Sequence, residues 1–321
     1  RIDGEMRFMD SILLDKNNTL LFNVEVPQDK TIYGAAAGLT LPIFMHVTYP
    51  TTADNKRGHY DFPYANTTDN RFEHVQSKGE KPIFADENKR YPLVFDSHGY
   101  TAHGYWGPSG SAMLSSHGYM AASVSFGDDR IASDWENHLH ENLRVFLAQV
   151  ALDFLLTHSD YKDHIDSSRI AATGHSLGGF TALALAGGKY NGVTNVIAKP
   201  RVSAVIPSGP WTGGVLGDGI LSMPFGKEYQ GMSHIEVPML GLYGTKDEAT
   251  TPEYVVPALA KTSGPRYVIS LVDQPHVYEG GSWQDQANWV LLFLDAYFKE
   301  NKDSMALMKS ASSIDGGNID L

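Results

Sequence analysis

The sequence predicts an α/β fold: a mostly parallel central sheet with helices on both faces and an antiparallel extension at its N-terminal side. Three observations point there. From residue 91 to residue 299, short apolar β-rich runs alternate with helical stretches. Two β-rich runs open the chain and read as an antiparallel pair. The 321 residues are 42% hydrophobic and only 19% charged, enough apolar material for one large core.

The opening pair is Leu20–Val26 and Leu41–Tyr49. Residues 50–90 are a polar excursion rich in Asn, Asp, Lys and Thr, read as part of the same domain. The regular core, 91–299, begins with the strand Tyr91–Asp96 and the strand Tyr119–Phe126. Residues 137–157 carry apolar side chains at Leu139, Leu143, Phe146, Leu147, Val150, Phe154 and Leu155, the spacing of an amphipathic helix. The strand Arg169–Gly174 then runs into an Ala/Leu-rich helix, Phe180–Ala186. Strands at Arg201–Pro207, Val237–Tyr243 and Tyr267–Val272 follow, with helices at Glu253–Lys261, kinked by Pro257, and at Ser282–Lys299. Residues 208–236, rich in Gly, Ser and Pro, read as a candidate lid or groove-lining segment, and 300–321 as a loose C-terminal tail. Ligands are expected at the C-terminal ends of the strands.

Composition excludes several functions. A net charge of −12 argues against nucleic-acid binding by phosphate neutralisation. With no cysteine, disulfides, thiolate catalysis and Cys-based zinc sites are out. No apolar run reaches the roughly 18 residues that span a bilayer. The chain begins at Arg1, which suits a chain whose leader has been removed, and a secreted or periplasmic setting is the expectation. Oligomeric state is left open.

The chemistry centres on Gly174-His175-Ser176-Leu177-Gly178. Gly-x-Ser-x-Gly alone is weak, with about 0.2 chance matches expected in a chain of this composition. Its setting is stronger: a short strand enters it and a helix of small residues leaves it, the strand–turn–helix arrangement of a nucleophile elbow. A serine at such a turn is strained, and side chains two residues either side of it would meet neighbouring backbone. A serine hydroxyl needs a base, and the base an orienting acid. Taken in the order nucleophile, acid, histidine, the base is His276, the one histidine after the last strand; His234 comes before the Val237 strand and is too early. The acid is Asp247, after the Val237–Tyr243 strand, with Glu248 beside it as the alternative. The oxyanion hole is expected from the N–H groups of Leu177 and of Tyr100, in the loop after the Tyr91–Asp96 strand. His98 reads as a structural support of that loop.

With these residues in place, the run from about Tyr91 to Lys299 resembles the cutinase-like polyester hydrolases, within the wider dienelactone-hydrolase and platelet-activating-factor acetylhydrolase branch of the α/β-hydrolase fold. The resemblance rests on Ser97-His98-Gly99-Tyr100-Thr101-Ala102, Ser116-His117-Gly118-Tyr119, Ile165-Asp166-Ser167-Ser168-Arg169-Ile170, the elbow, and Ala204-Val205-Ile206-Pro207-Ser208-Gly209-Pro210-Trp211. It implies a serine carboxylic ester hydrolase without cofactor, with Tyr100 and Leu177 forming the oxyanion hole and Trp211 lining the substrate groove. His175 and Trp106 are further candidate substrate contacts. The chain departs from the family in its first 90 residues, its lack of cysteine, and the aromatic cluster His103, Tyr105 and Trp106, which would narrow the groove. An amidase or peptidase with the same triad, and a non-catalytic binding module, are the alternatives.

Asp128, Asp129, Asp134 and Glu136 lie near His138 and His140, but their spacing fits no metal-binding loop, and no metal is expected. Trp283 and Trp289 read as packing residues of the last helix.

Overall fold

The computed structural model describes residues 19–61, 71–72, 74–76, 80–102, 104, 108–127, 139–190, 201–215, 219, 221–280, 282–310 and 318–319. Among these, nine strands form one sheet: β1 (Thr19–Glu25), β2 (Thr40–Thr48), β3 (Tyr91–Ser97), β4 (Met120–Ser125), β5 (Ile165–His175), β6 (Ala204–Ser208), β7 (Met239–Gly244), β8 (Arg266–Leu271) and β9 (Asn318–Ile319). The spatial order is β1-β2-β4-β3-β5-β6-β7-β8-β9. β1 pairs antiparallel with β2, and β2 with β4. From β4 to β8 every pairing is parallel. The antiparallel opening and the parallel core both follow the sequence expectation.

Among the described residues, six α-helices of eight or more residues accompany the sheet: α1 (Pro108–Ser116), α2 (Leu139–Thr157), α3 (Leu177–Leu185), α4 (Pro252–Leu259), α5 (Ser282–Phe298) and α6 (Lys302–Ser310). Both sheet faces are buried, and the strands show it by alternation. On β3, Leu93 and Phe95 join the cluster that contains α2, α3 and α4, while Val94 joins the one that contains α1, α5 and α6. On β5, Ile170 and Ala172 point to the first side and Ala171 to the second. A strand covered on both faces needs apolar residues at every position, which is why these runs read as continuous rather than alternating.

The strand order creates a switch point between β3 and β5. From β3 the chain leaves toward α1, on one face; from β5 it leaves toward α3, on the other. The two loops diverge at the C-terminal strand ends, where open α/β sheets usually bind their ligands.

Two segments differ from the sequence reading. Residues 300–321 are not a loose tail throughout. Residues 302–310 form α6, capped by the Asn301 side chain, which accepts from the Asp303 and Ser304 amides at 3.0 Å each. Met308 is fully buried and Asn318–Ile319 pairs with β8. Met305 and Met308, one helical turn apart, supply the apolar stripe that a polar composition obscures. The segment 208–236 is not one lid either. Phe225, Tyr229, Met232 and Ile235 are buried in the core, and it is the first part, at Ser208 and Trp211, that bonds to Ser176. Among the described residues no helix is long and apolar enough to cross a membrane.

Candidate active site

Ser176 follows β5 directly and caps α3, with φ 59° and ψ −120°. A non-glycine residue holds that conformation only under tertiary constraint. Here the constraint is visible. The Ser176 N–H donates to the Ser208 carbonyl at 3.0 Å, and its own carbonyl accepts from the Phe180 and Trp211 amides at 3.1 and 2.9 Å. The flanking glycines are required by contact: a Cβ at Gly174 or Gly178 would collide with the Ser97 carbonyl oxygen. Removing both side chains lets α3 start against the end of β3. As the first residue of α3, Leu177 has an N–H with no intrahelical acceptor, set at the positive end of the helix beside Ser176.

Asp247 and His276 come from the turns after β7 and β8. Those turns are joined: Lys246 N–H donates to the Gln274 carbonyl at 3.0 Å, Asp273 N–H to the Thr245 hydroxyl at 2.8 Å, and a Cβ at Gly244 would clash with the Gln274 carbonyl. The result is a 2.8 Å bond between Asp247 Oδ2 and His276 Nδ1. A carboxylate accepts, so Nδ1 carries the proton and Nε2 keeps its lone pair. Asp247 is 3% exposed. Burial pushes its pKa up, but the bonds from His276 and Thr250 outweigh burial and hold it below the usual carboxylate value.

His175 links this pair to the elbow. Its Nε2 lies 2.7 Å from the His276 carbonyl oxygen, and its ring packs 4.4 Å from the His276 ring and 5.9 Å from Tyr278. Burial, reinforced by His276, lowers its pKa to about 4, so at neutral pH it is an uncharged donor. Its ring is engaged with the His276 loop.

The loop after β3 is held from below. His98 is buried, its Nδ1 2.7 Å from the Gly99 carbonyl and its Nε2 accepting the Phe126 N–H at 3.2 Å. Those partners set the Nδ1–H tautomer, and they match the structural role read from sequence. Arg144, fully buried, donates to the His98 carbonyl at 2.6 Å and lies over the Phe126 ring. Gly99 brings this loop to the elbow, since a Cβ there would be 3.4 Å from Ser176 Cβ. Tyr100 follows, 42% exposed, its ring 5.4 Å from His140.

Ser176, Leu177, Asp247, His276 and Tyr100 therefore sit just past the C-terminal ends of β3, β5, β7 and β8. Trp211 joins them through its bond to the Ser176 carbonyl; its indole N–H donates to Glu141 at 3.4 Å. Glu248 does not contact His276 in any described bond; the Asp247 side chain takes that place. Trp106, with His103 and Tyr105, lies outside the described residues, as do Asp128, Asp129, Asp134, Glu136 and His138. His140 is buried on α2. Among the described residues no group of three metal-ligating side chains comes together. Trp289 packs in the core, and Trp283, partly exposed, lies against Tyr278. Sequence reasoning missed Thr250 and Arg144. Neither carries a motif, and each becomes visible only through the loops that it joins.

No family model matches the chain. Over 127 residues it is 31% identical to cutinase est1 of Thermobifida alba. That match covers 39% of this chain and 37% of the relative, so the chain aligns with well under two thirds of that protein. The similarity supports a relationship to ester hydrolases.

Proposed function

We propose that the chain is a serine carboxylic ester hydrolase of the α/β-hydrolase fold, acting through Ser176, His276 and Asp247 on small to medium acyl or aryl esters. The observation that carries this reading is the bond from His276 Nδ1 to the buried Asp247 carboxylate, on a loop bonded to the residue next to the strained Ser176.

The reaction then runs in two halves. His276 Nε2 takes the Ser176 hydroxyl proton as Oγ adds to the ester carbonyl carbon. The carbonyl oxygen becomes an oxyanion between the Leu177 and Tyr100 N–H groups, favoured by the α3 N-terminus. Asp247 stabilises the imidazolium without taking its proton. His276 passes that proton to the alcohol oxygen as the C–O bond breaks, leaving an acyl-Ser176. Water, deprotonated by His276, repeats the addition and releases the acid. Tyr100 and Trp211 flank the scissile bond, with Trp106 as a further candidate wall.

Replacement of Ser176 by Ala tests the reading. Hydrolysis of p-nitrophenyl esters should fall by about 1,000-fold or more while the circular dichroism and melting temperature stay those of the parent. Wild-type turnover in Ser176→Ala would overturn it. A p-nitrophenyl chain-length series, with an aryl polyester film, a hydroxycinnamate ester and a p-nitroanilide alongside, sorts the substrate class. One methylene in an apolar pocket is worth only about 1–3 kcal/mol.

A further inference from the structure

We propose that Thr250 is a positioning residue of this site: its hydroxyl and its backbone N–H hold the Asp247 carboxylate on His276 and tie that carboxylate to the loop that carries Trp211. The proposal rests on the reading of the site given above and adds a residue that the triad pattern does not contain.

Asp247 receives four hydrogen bonds. Oδ1 accepts the Ala249 and Thr250 amides at 2.9 and 2.8 Å. Oδ2 accepts His276 Nδ1–H and the Thr250 hydroxyl, both at 2.8 Å. Two of the four donors are therefore on Thr250. The residue is 2% exposed, so water has little access to replace either of them. A carboxylate turns freely about its Cβ–Cγ bond unless both oxygens are engaged. The amides fix Oδ1, and the hydroxyl fixes Oδ2 beside the imidazole.

The hydroxyl has a second acceptor, the Gly209 carbonyl, also at 2.8 Å, and lies 3.3 Å from His276 Nδ1. One hydroxyl proton thus serves two oxygens, and the charged one is the stronger acceptor. Gly209 is the turn residue between β6 and Trp211, with φ 44° and its N–H on the Leu242 carbonyl at 2.7 Å. Two residues later Trp211 binds the Ser176 carbonyl. Thr250 therefore ties the acid turn to the strand end that braces the nucleophile.

The charge environment makes the consequence readable. His276 faces Asp247 through Nδ1 and the His175 ring at 4.4 Å, with Tyr278 against His175 on the far side. Burial keeps His175 uncharged near neutrality and pushes the Tyr278 phenol up. The Lys246–Asp273 pair that joins the two turns is exposed and screened by solvent. Asp247 is then the charge that faces Nδ1–H. Removing the hydroxyl leaves Oδ2 with one donor fewer and concentrates its charge on the Nδ1–H bond, which moves that proton's resonance downfield.

The test uses the full chain with Thr250→Val, which keeps the volume, Thr250→Ser, which keeps the hydroxyl, and Thr250→Ala as a second hydroxyl-free variant should valine not fold. The His276 Nδ1–H proton is followed by NMR, its signal assigned with His276→Gln, and kcat and KM are measured on a p-nitrophenyl ester. In the valine or alanine variant, kcat should fall by about tenfold or more with KM within about twofold, and the Nδ1–H resonance should move downfield. The serine variant should restore both. A hydroxyl-free variant that melts lower but keeps the parent kcat and Nδ1–H resonance makes Thr250 merely structural and overturns the proposal. Ser176→Ala, run in parallel, separates this failure from that of the ester-hydrolase reading, because the Nδ1–H resonance needs no turnover.

Discussion

Ser176 sits at φ 59° because four of its neighbours leave it no alternative: the Ser208 carbonyl and the Phe180 and Trp211 amides bind its backbone, and the Ser97 carbonyl fills the space where side chains at 174 and 178 would go. The motif was legible in sequence because each of its glycines answers a steric demand. Asp247 was legible only as a position in chain order. Its proposed role rests on its exposure of 3% and on the four donors around it, none of which a sequence displays. Asp247→Asn should keep the geometry and lower kcat by about 1,000-fold or more, since an amide neither fixes the Nδ1–H tautomer nor stabilises the imidazolium. Stopped-flow or steady-state kinetics on a p-nitrophenyl ester checks this, and a loss below tenfold would remove Asp247 from the proposed triad.

At the scale of elements, the β5–Ser176–α3 unit is closely packed at its turn. α3 packs its small and apolar face on the sheet, and its first turn meets the end of β3 with no room for a methyl group at Gly178. Gly178→Ala therefore has to push α3 away from Ser97. The expected cost is about 2–4 kcal/mol of unfolding free energy, read by urea titration, together with loss of the proposed esterase activity. A variant as stable as the parent would mean that α3 yields more easily than its contacts indicate. α6 shows the opposite case. Its Asn301 cap and its Met305/Met308 pair were present in the sequence, but nine polar-leaning residues near a chain end resemble a tail. Whether such a helix forms is decided by the apolar surface that it lands on.

Across the whole molecule, three buried titratable groups couple stability to pH in opposite directions. Burial raises the Asp96 pKa to about 7, with Ser123 opposing the rise, and lowers those of His46 and His175 to about 4. For Asp96 the folded value lies above the unfolded one, near 3.9. Its contribution is whole below about pH 4 and is lost as pH rises through 7. For the two histidines the folded value lies below the unfolded 6.5, so theirs is whole above 6.5 and lost as pH falls toward 4. Two groups gain and one loses as pH rises from 4 to 6.5, and the net slope is upward. Asp96→Asn removes the opposing member. That variant should exceed the parent in stability at pH 7.5, by on the order of 2 kcal/mol, and the difference should vanish near pH 4. Chemical denaturation at the two pH values measures it. A gap that is equal at both, or absent at both, would mean that the buried carboxyl is not the source. His46, Ser123 and Asp96 stand opposite one another on β2, β4 and β3, a polar row that strand alternation did not reveal because each strand reads as apolar by itself.

The amino-acid sequence alone determined the α/β class, the antiparallel opening, the elbow around Ser176, and the order in which an acid and a histidine follow it. These are local matters: periodicity sets the elements, and glycine spacing sets the turn. Only the tertiary structure decided that His175 braces the His276 loop, that Thr250 completes the hold on Asp247, that the late part of 208–236 is core, and that 302–310 is a helix. Each of these depends on which loops meet at the switch point between β3 and β5 or on which apolar surface a short segment finds. Contacts between residues tens of positions apart leave no period and no spacing in the chain.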